Sequence, residues 1–224
     1  MRYSKIQTLY NRDTDGNFGV IPGQFRCDEF ALISKWLITE KIDGRNHRVM
    51  LFADGHVEHR GRTDRAQFAP FMMDAAQRLV DNNTLRTVIE QDVNGEWPMT
   101  ILYGELYGPK IQSGGKYCDN IRLRLFDVRI GDWWLNYKDV VSISGKLNLG
   151  YAPVLAVEAD WVPTCKAELL DLFPYNCSVI NKRENVEPEG IVARTDPLLL
   201  NRRGERVMWK LKVSDFKGKG HNSR

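Results

Sequence analysis

Asp54-Gly55 stands between two short strand-like runs, Arg48-Val49-Met50-Leu51-Phe52 and His56-Val57-Glu58-His59-Arg60. An Asp-Gly pair accepts the positive φ angles of a tight turn at little cost, so the two runs are predicted to fold back on each other as a hairpin. Similar runs recur along the chain. Trp36-Leu37-Ile38-Thr39-Glu40 reads as a buried strand, and Thr87-Val88-Ile89-Glu90 and Thr100 to Leu106 as further strands. Ile121 to Ile130 and Trp133 to Asn136 are two more, separated by the turn residues Gly131-Asp132. Pro153 to Glu158, Gly190 to Arg194 and Arg206 to Lys212 complete the set. Helical spacing appears from Ala66 to Asp81, where Phe68, Phe71, Met72, Ala75, Ala76, Leu79 and Val80 share a face, with Pro70 placed in the first turn. A short helix fits Lys166 to Phe173. Strands dominate and do not alternate regularly with helices, so the expected class is α+β, in a single domain over residues 1–224.

With 42% hydrophobic and 27% charged residues, the chain has the balance of a water-soluble globular protein with a core. That excludes a disordered, collagen-like or disulfide-framework chain. No run approaches the roughly 18 apolar residues that would span a bilayer. The opening Met1-Arg2-Tyr3-Ser4-Lys5-Ile6-Gln7 lacks the apolar segment of a signal peptide, so a cytoplasmic location is expected. Cys27, Cys118, Cys165 and Cys177 lie far apart, with no Cys-x-x-Cys, and are expected to be reduced thiols rather than zinc ligands. A monomer is the default expectation.

Charge is uneven. Residues 201–224 hold eight bases against two acids, which puts them at +6 and the rest of the chain at −3. A basic end, residues 213–224 with Lys217 and Lys219 among them, suits a polyanionic partner or a solvated tail.

Four fragments carry chemistry. Lys41 ends an apolar strand and is followed by Asp43-Gly44, a placement that holds an amine still while glycine lets a bulky ligand approach. Taken alone, such a lysine is ordinarily a surface charge. Glu105 puts a carboxylate into the apolar strand around Tyr103 and Tyr107, where burial demands a partner such as a ligand hydroxyl. Glu189 opens the buried strand Gly190-Ile191-Val192-Ala193-Arg194. In Trp209-Lys210-Leu211-Lys212, period-two alternation puts both lysines on one face, an arrangement that taken alone also fits an edge strand protected by lysines.

Lys41-Ile42-Asp43-Gly44, Leu102-Tyr103-Gly104-Glu105-Leu106, Leu125-Phe126-Asp127, Glu189-Gly190-Ile191-Val192 and Trp209-Lys210-Leu211-Lys212 follow the motif order of covalent nucleotidyltransferases. That superfamily joins ATP-dependent DNA ligases, RNA ligases and mRNA capping enzymes. The chain most resembles its RNA ligase 2 branch, through Asn46 in the first motif and Glu105-Leu106-Tyr107-Gly108 in the third. Asp43 departs from the histidine frequent in that branch and matches DNA ligases, which leaves the strand sugar open. The resemblance implies an antiparallel-sheet-rich, ATP-grasp-like ligase domain with flanking helices. DNA ligases and capping enzymes carry an OB-fold domain after the last motif and the RNA ligase 2 branch a small helical domain; neither fits in Val213 to Arg224, so a nucleotidyltransferase domain alone is expected.

The implied activity is ATP-dependent sealing of 3′-hydroxyl and 5′-phosphate ends in nicked or broken RNA or DNA, with ATP and Mg2+ or Mn2+ as cofactors. Lys41 would take AMP from ATP and pass it to the 5′-phosphate. Lys210 and Lys212 would hold the α-phosphate and serve catalysis. Glu189 would engage the metal. Glu40, Ile42, Asn46, Arg62, Glu105 and Phe126 would complete the nucleotide contacts, with Phe126 on the adenine and Glu105 on the ribose. Asp43, Arg45, Arg60, Arg194, Lys217 and Lys219 would face nucleic acid, although strict alternation puts Arg194 on the face opposite Glu189 unless the chain bends near Gly190. The alternatives are a GTP-using capping-type transferase, disfavoured by Asn46, and a non-catalytic nucleic-acid-binding module, which has no need of Lys41, Glu105, Glu189, Lys210 and Lys212 together.

Overall fold

A computed structural model describes residues 3–13, 19–180 and 185–216. The elements in chain order are β1 (Gln7–Thr8), β2 (Tyr10–Arg12), β3 (Val20–Phe25), β4 (Trp36–Lys41), β5 (Arg45–Leu51) and β6 (Val57–Gly61). Helices α1 (Pro70–Leu79) and α2 (Asn82–Val88) precede β7 (Thr100–Tyr107), β8 (Arg122–Ile130) and β9 (Trp133–Trp134). Then come α3 (Tyr137–Lys146), β10 (Gly150–Tyr151), β11 (Val154–Ala159), α4 (Lys166–Leu170), β12 (Gly190–Arg194) and β13 (Met208–Lys212). The class is α+β, and among the described residues no helix is long and apolar enough to cross a membrane.

The chain divides into two compact units. One comprises Ser4–Ile42 and Pro153–Arg224. Its five-stranded sheet runs β1-β13-β12-β4-β11, and β12 is antiparallel to both neighbours. One face carries Ile38, Ile191, Ala193, Trp209 and Leu211, all fully buried, packed with Leu9, Tyr10, Leu169 and Phe173. Period-two alternation thus gives this sheet one apolar face, and its lysines fall on the other.

The second unit comprises Met1–Tyr3 and Asp43–Ala152. Its sheet runs β10-β8-β7-β5-β6, with β9 folded back on β8. The predicted hairpin is present: β5 and β6 pair antiparallel, and Gly55 has φ +82° in the turn. Its Cβ-less carbon lies against the Trp97 ring, so a side chain there would meet both strain and a clash. Helix α1 keeps Pro70 in its first turn but runs from Pro70 to Leu79 rather than from Ala66 to Asp81, since proline fits the first helical position; it packs Met72, Ala75 and Ala76 inward and leaves Phe71 exposed.

Thr87-Val88-Ile89-Glu90 is not a strand. Helix α2 runs to Val88, and its N-terminus is capped by Asp81, whose carboxylate accepts the Thr84 N–H at 2.8 Å. The cap and the fully buried Leu85 outweigh the β-branched preference of the following residues. The Pro153–Glu158 and Trp133–Asn136 strands are shifted or shortened to β11 and β9, and the Lys166 helix ends at Leu170.

Candidate active site

The register across β4, β12 and β13 builds a charged row. Gly190 pairs with Lys41 on one side and with Lys212 on the other. The next row along the same face is Thr39, Val192 and Lys210, and the third is Leu37, Arg194 and Met208. Glu189 therefore sits just beyond the central strand, between two lysines. Its Oε2 accepts from Lys41 Nζ at 2.6 Å and its Oε1 from Lys212 Nζ at 2.6 Å.

This bridge needs a bend, and Gly190 supplies it. Its φ is +153°, and a Cβ there would lie 2.2 Å from the Leu211 carbonyl oxygen. Only glycine fits so close to β13. Alternation alone would send Glu189 to the apolar face; the bend returns it to the lysine face. The bend also resolves the place of Arg194, which shares the face of Lys41 and Lys210 but lies at the far end of β12 and is 4% exposed.

The row is partly sheltered from water, with side-chain exposures of 20% for Lys41 and 13% for Glu189. Burial, followed by the nearby charges of Lys41 and Lys212, pushes the Lys210 ammonium below the usual lysine value, against a smaller opposing pull from Glu189. Lys212 is fixed from below: its N–H donates to Asp215 Oδ2 at 2.9 Å, and Asp215 is itself paired with Arg12 at 2.5 Å.

Glu40 does not face the lysines. It shares the apolar face of Ile38 and is 1% exposed. Its Oε1 accepts from Ser178 Oγ at 2.5 Å and its Oε2 from the Val179 N–H at 2.9 Å. Ile42 is buried at the end of this unit.

The remaining predicted residues belong to the other unit. Asn46, Glu105 and Arg124 form one row across β5, β7 and β8. The Asn46 Oδ1 is buried and accepts no hydrogen bond among the described residues. Arg124, which the motifs do not single out, donates to the Tyr107 hydroxyl at 2.9 Å and to the Tyr151 carbonyl at 2.9 Å. Between Tyr103, paired with Asp127, and Gly104, paired with Leu125, the register slips and leaves Phe126 unopposed as a β-bulge. Bulges re-aim side chains, and here the Phe126 ring meets Tyr3 edge-on at 5.2 Å. The Tyr3 hydroxyl donates to buried Asp127. Sequence reasoning missed Tyr3, because the contact joins residues 124 positions apart.

Arg62 is exposed, and Asp43 and Arg45 are half-buried, with the Arg45 guanidinium 5.3 Å over the Phe68 ring. Arg60 pairs with Glu58 at 2.5 Å and with Asp64 at 3.4 Å. Lys217 and Lys219 lie outside the described residues. The four cysteines are free thiols.

No curated protein matches the chain. Solved structures of an RNA ligase from Naegleria gruberi do. A lysine-to-alanine variant with ATP and Mn matches at TM-score 0.57 and 21% identity, over 93% of this chain and 60% of that one. The same ligase with PPi matches at TM-score 0.57 and 20% identity, over 94% and 61%. This chain thus spans about three fifths of the ligase it resembles, and at such identity the likeness establishes the fold. The family model for RNA ligases matches residues 34–212, a span that contains the Lys41–Glu189–Lys212 bridge, the Phe126 bulge and the Asn46–Glu105 row, and the chain belongs to the RNA ligase family.

Proposed function

We propose that this chain is an ATP-dependent RNA ligase domain that seals nicks through an AMP adduct on Lys41. The observation that carries the reading is the bridge in which Glu189 accepts from both Lys41 and Lys212 at 2.6 Å, with Lys210 on the same face. The Naegleria gruberi ligase structures hold ATP, AMP and Mn, which supports the same ligands here.

The donor set fits these groups. Three lysines around one carboxylate are suited to a phosphate whose charge grows as a bond to it forms. The unpartnered Asn46 oxygen fits a ligand donor, since an unmet buried acceptor costs about 1–3 kcal/mol. Among the described residues no cluster of three His, Cys, Asp or Glu would enclose a metal. Glu189 would hold Mg2+ or Mn2+, ions for which one or two protein carboxylates suffice. When bound, the metal would neutralise charge on the leaving pyrophosphate.

The chain's own residues do the rest. Lys41 attacks as the neutral amine, so a proton must first leave Nζ, and Glu189 Oε2 already accepts from it. The N–P bond forms as the bond between the α-phosphorus and its bridging oxygen breaks, and pyrophosphate departs with the electron pair. Lys210 and Lys212 would hold the α-phosphate through this step. A 5′-phosphate oxygen then attacks the same phosphorus and frees Lys41. Attack by a 3′-hydroxyl on the activated end finally expels AMP and closes the strand. Phe126, Glu105 and Asn46 enter as nucleotide contacts on the strength of the motif match, with Arg62 beside them, and Asp43, Arg45, Arg60 and the basic tail enter as strand contacts, the tail on its charge alone; Arg194, 4% exposed, is left out of the contact set.

The test is a panel of nicked duplexes with RNA or DNA in each of the three strands, incubated with Mg2+ and either ATP or GTP. Sealing with ATP of at least one RNA-containing nick is expected. Activity with GTP alone would favour a capping-type transferase, and binding without sealing a non-catalytic module.

A further inference from the structure

Glu40 is a carboxylate on the face of β4 that otherwise builds an apolar core, and it is 1% exposed. Filling that core calls for a residue like Ile38, and a buried carboxylate is tolerated only if its oxygens are satisfied. Both are, and by the same short segment. Ser178 Oγ donates to Oε1 and the Val179 N–H to Oε2. Ser178 is tied onward, because its own N–H donates to the Val186 carbonyl at 2.8 Å. Three residues later, past buried Pro188, stands Glu189, whose carbonyl accepts from the Val213 N–H at 3.0 Å.

We infer that Glu40 is a positioning residue: through Ser178 and Val179 it anchors the segment leading into Glu189 and so fixes that carboxylate between Lys41 and Lys212. One strand end thereby sets both partners of the bridge. Lys41 leaves β4 on the charged face, and Glu40, one residue earlier, holds on the opposite face the approach to Lys41's own acceptor. This inference rests on the proposed adenylation and on Glu189 as the metal carboxylate.

The test measures Mn2+ binding by electron paramagnetic resonance in the presence of α,β-methylene ATP, with analogue binding in the absence of metal as the control. Groups that orient a metal-binding carboxylate typically change metal affinity by about ten-fold or more when removed. Ser178→Ala is expected to weaken Mn2+ by roughly that factor and to leave metal-free analogue binding unchanged, Glu40→Gln to weaken Mn2+ likewise, and Ser178→Thr, which keeps the hydroxyl, to restore it. Unchanged Mn2+ affinity in Ser178→Ala overturns the inference, as does a fall matched by an equal fall in metal-free binding, which would mark general damage to the fold. Failure of the unaltered protein to bind Mn2+ with the analogue would overturn the ligase reading itself.

Discussion

Lys41 and Lys212 reach opposite oxygens of Glu189, so each holds the carboxylate in place for the other. Lys212→Ala should therefore slow transfer of AMP to Lys41 by roughly 10²–10³, the usual loss when one group facing developing phosphate charge is removed. Rapid-quench kinetics of adduct formation would show it, and an unchanged rate would remove Lys212 from the chemistry. A second expectation at this scale concerns His47 and His59. His59 Nε2 lies 3.1 Å from the Val80 carbonyl, which can only accept, so that nitrogen carries the proton. His59 Nδ1 then accepts from His47 Nε2–H at 2.9 Å. Burial, followed by the charges of His59 and Arg48, pushes His47 down to about 3, below its ordinary value. In the unfolded chain it takes a proton near pH 6.5, so the stability it contributes is present above that pH and is lost as pH falls toward 3. Chemical denaturation should show this loss, and ¹⁵N NMR should find His47 neutral and Nε2-protonated at pH 5. A protonated ring at that pH would refute the assignment. Neither histidine was legible as a pair in the sequence, since 12 residues and a hairpin turn separate them.

The elements that carry the site were legible because their patterns are strong. Alternation in Trp209-Lys210-Leu211-Lys212 and the apolar run before Lys41 gave β13 and β4, and Asp54-Gly55 gave the β5–β6 hairpin. The departures from alternation were harder to read: the sequence suggests a bend near Gly190 only as a condition for Arg194, and the bulge not at all. Gly190 turns Glu189 onto the lysine face, and the bulge at Phe126 breaks the pairing of β7 with β8; both depend on register, which no single strand encodes. Helix α2 was missed because its signals, an aspartate cap and one buried leucine, are weaker than a β-branched run. Gly190→Ala should cost about 1–3 kcal/mol in stability from backbone strain alone. It should also lower adduct formation in the protein that remains folded, because Glu189 moves with the strand. Thermal unfolding together with single-turnover labelling separates the two effects, and full activity in Gly190→Ala would show that the bend is dispensable. Phe126→Ala should mainly weaken ATP binding, and an unchanged affinity would return that ring to the core.

At the scale of the whole chain, the basic stretch from residue 201 onward, at +6, points to contacts with phosphates. Affinity for a nicked duplex should fall steeply with added salt, by close to one power of salt concentration for each phosphate neutralised. Removing residues 217–224 should flatten that slope and spare AMP transfer to Lys41, as fluorescence anisotropy and labelling would record. A slope unchanged by the truncation would put the contact surface elsewhere. The most direct measurement of the central claim is to incubate the protein with α-labelled ATP and Mg2+, denature it, and map the labelled peptide by mass spectrometry. The expected result is one AMP per chain, joined to Lys41 and absent from Lys41→Ala. Label on another residue, or label that survives Lys41→Ala, would contradict it.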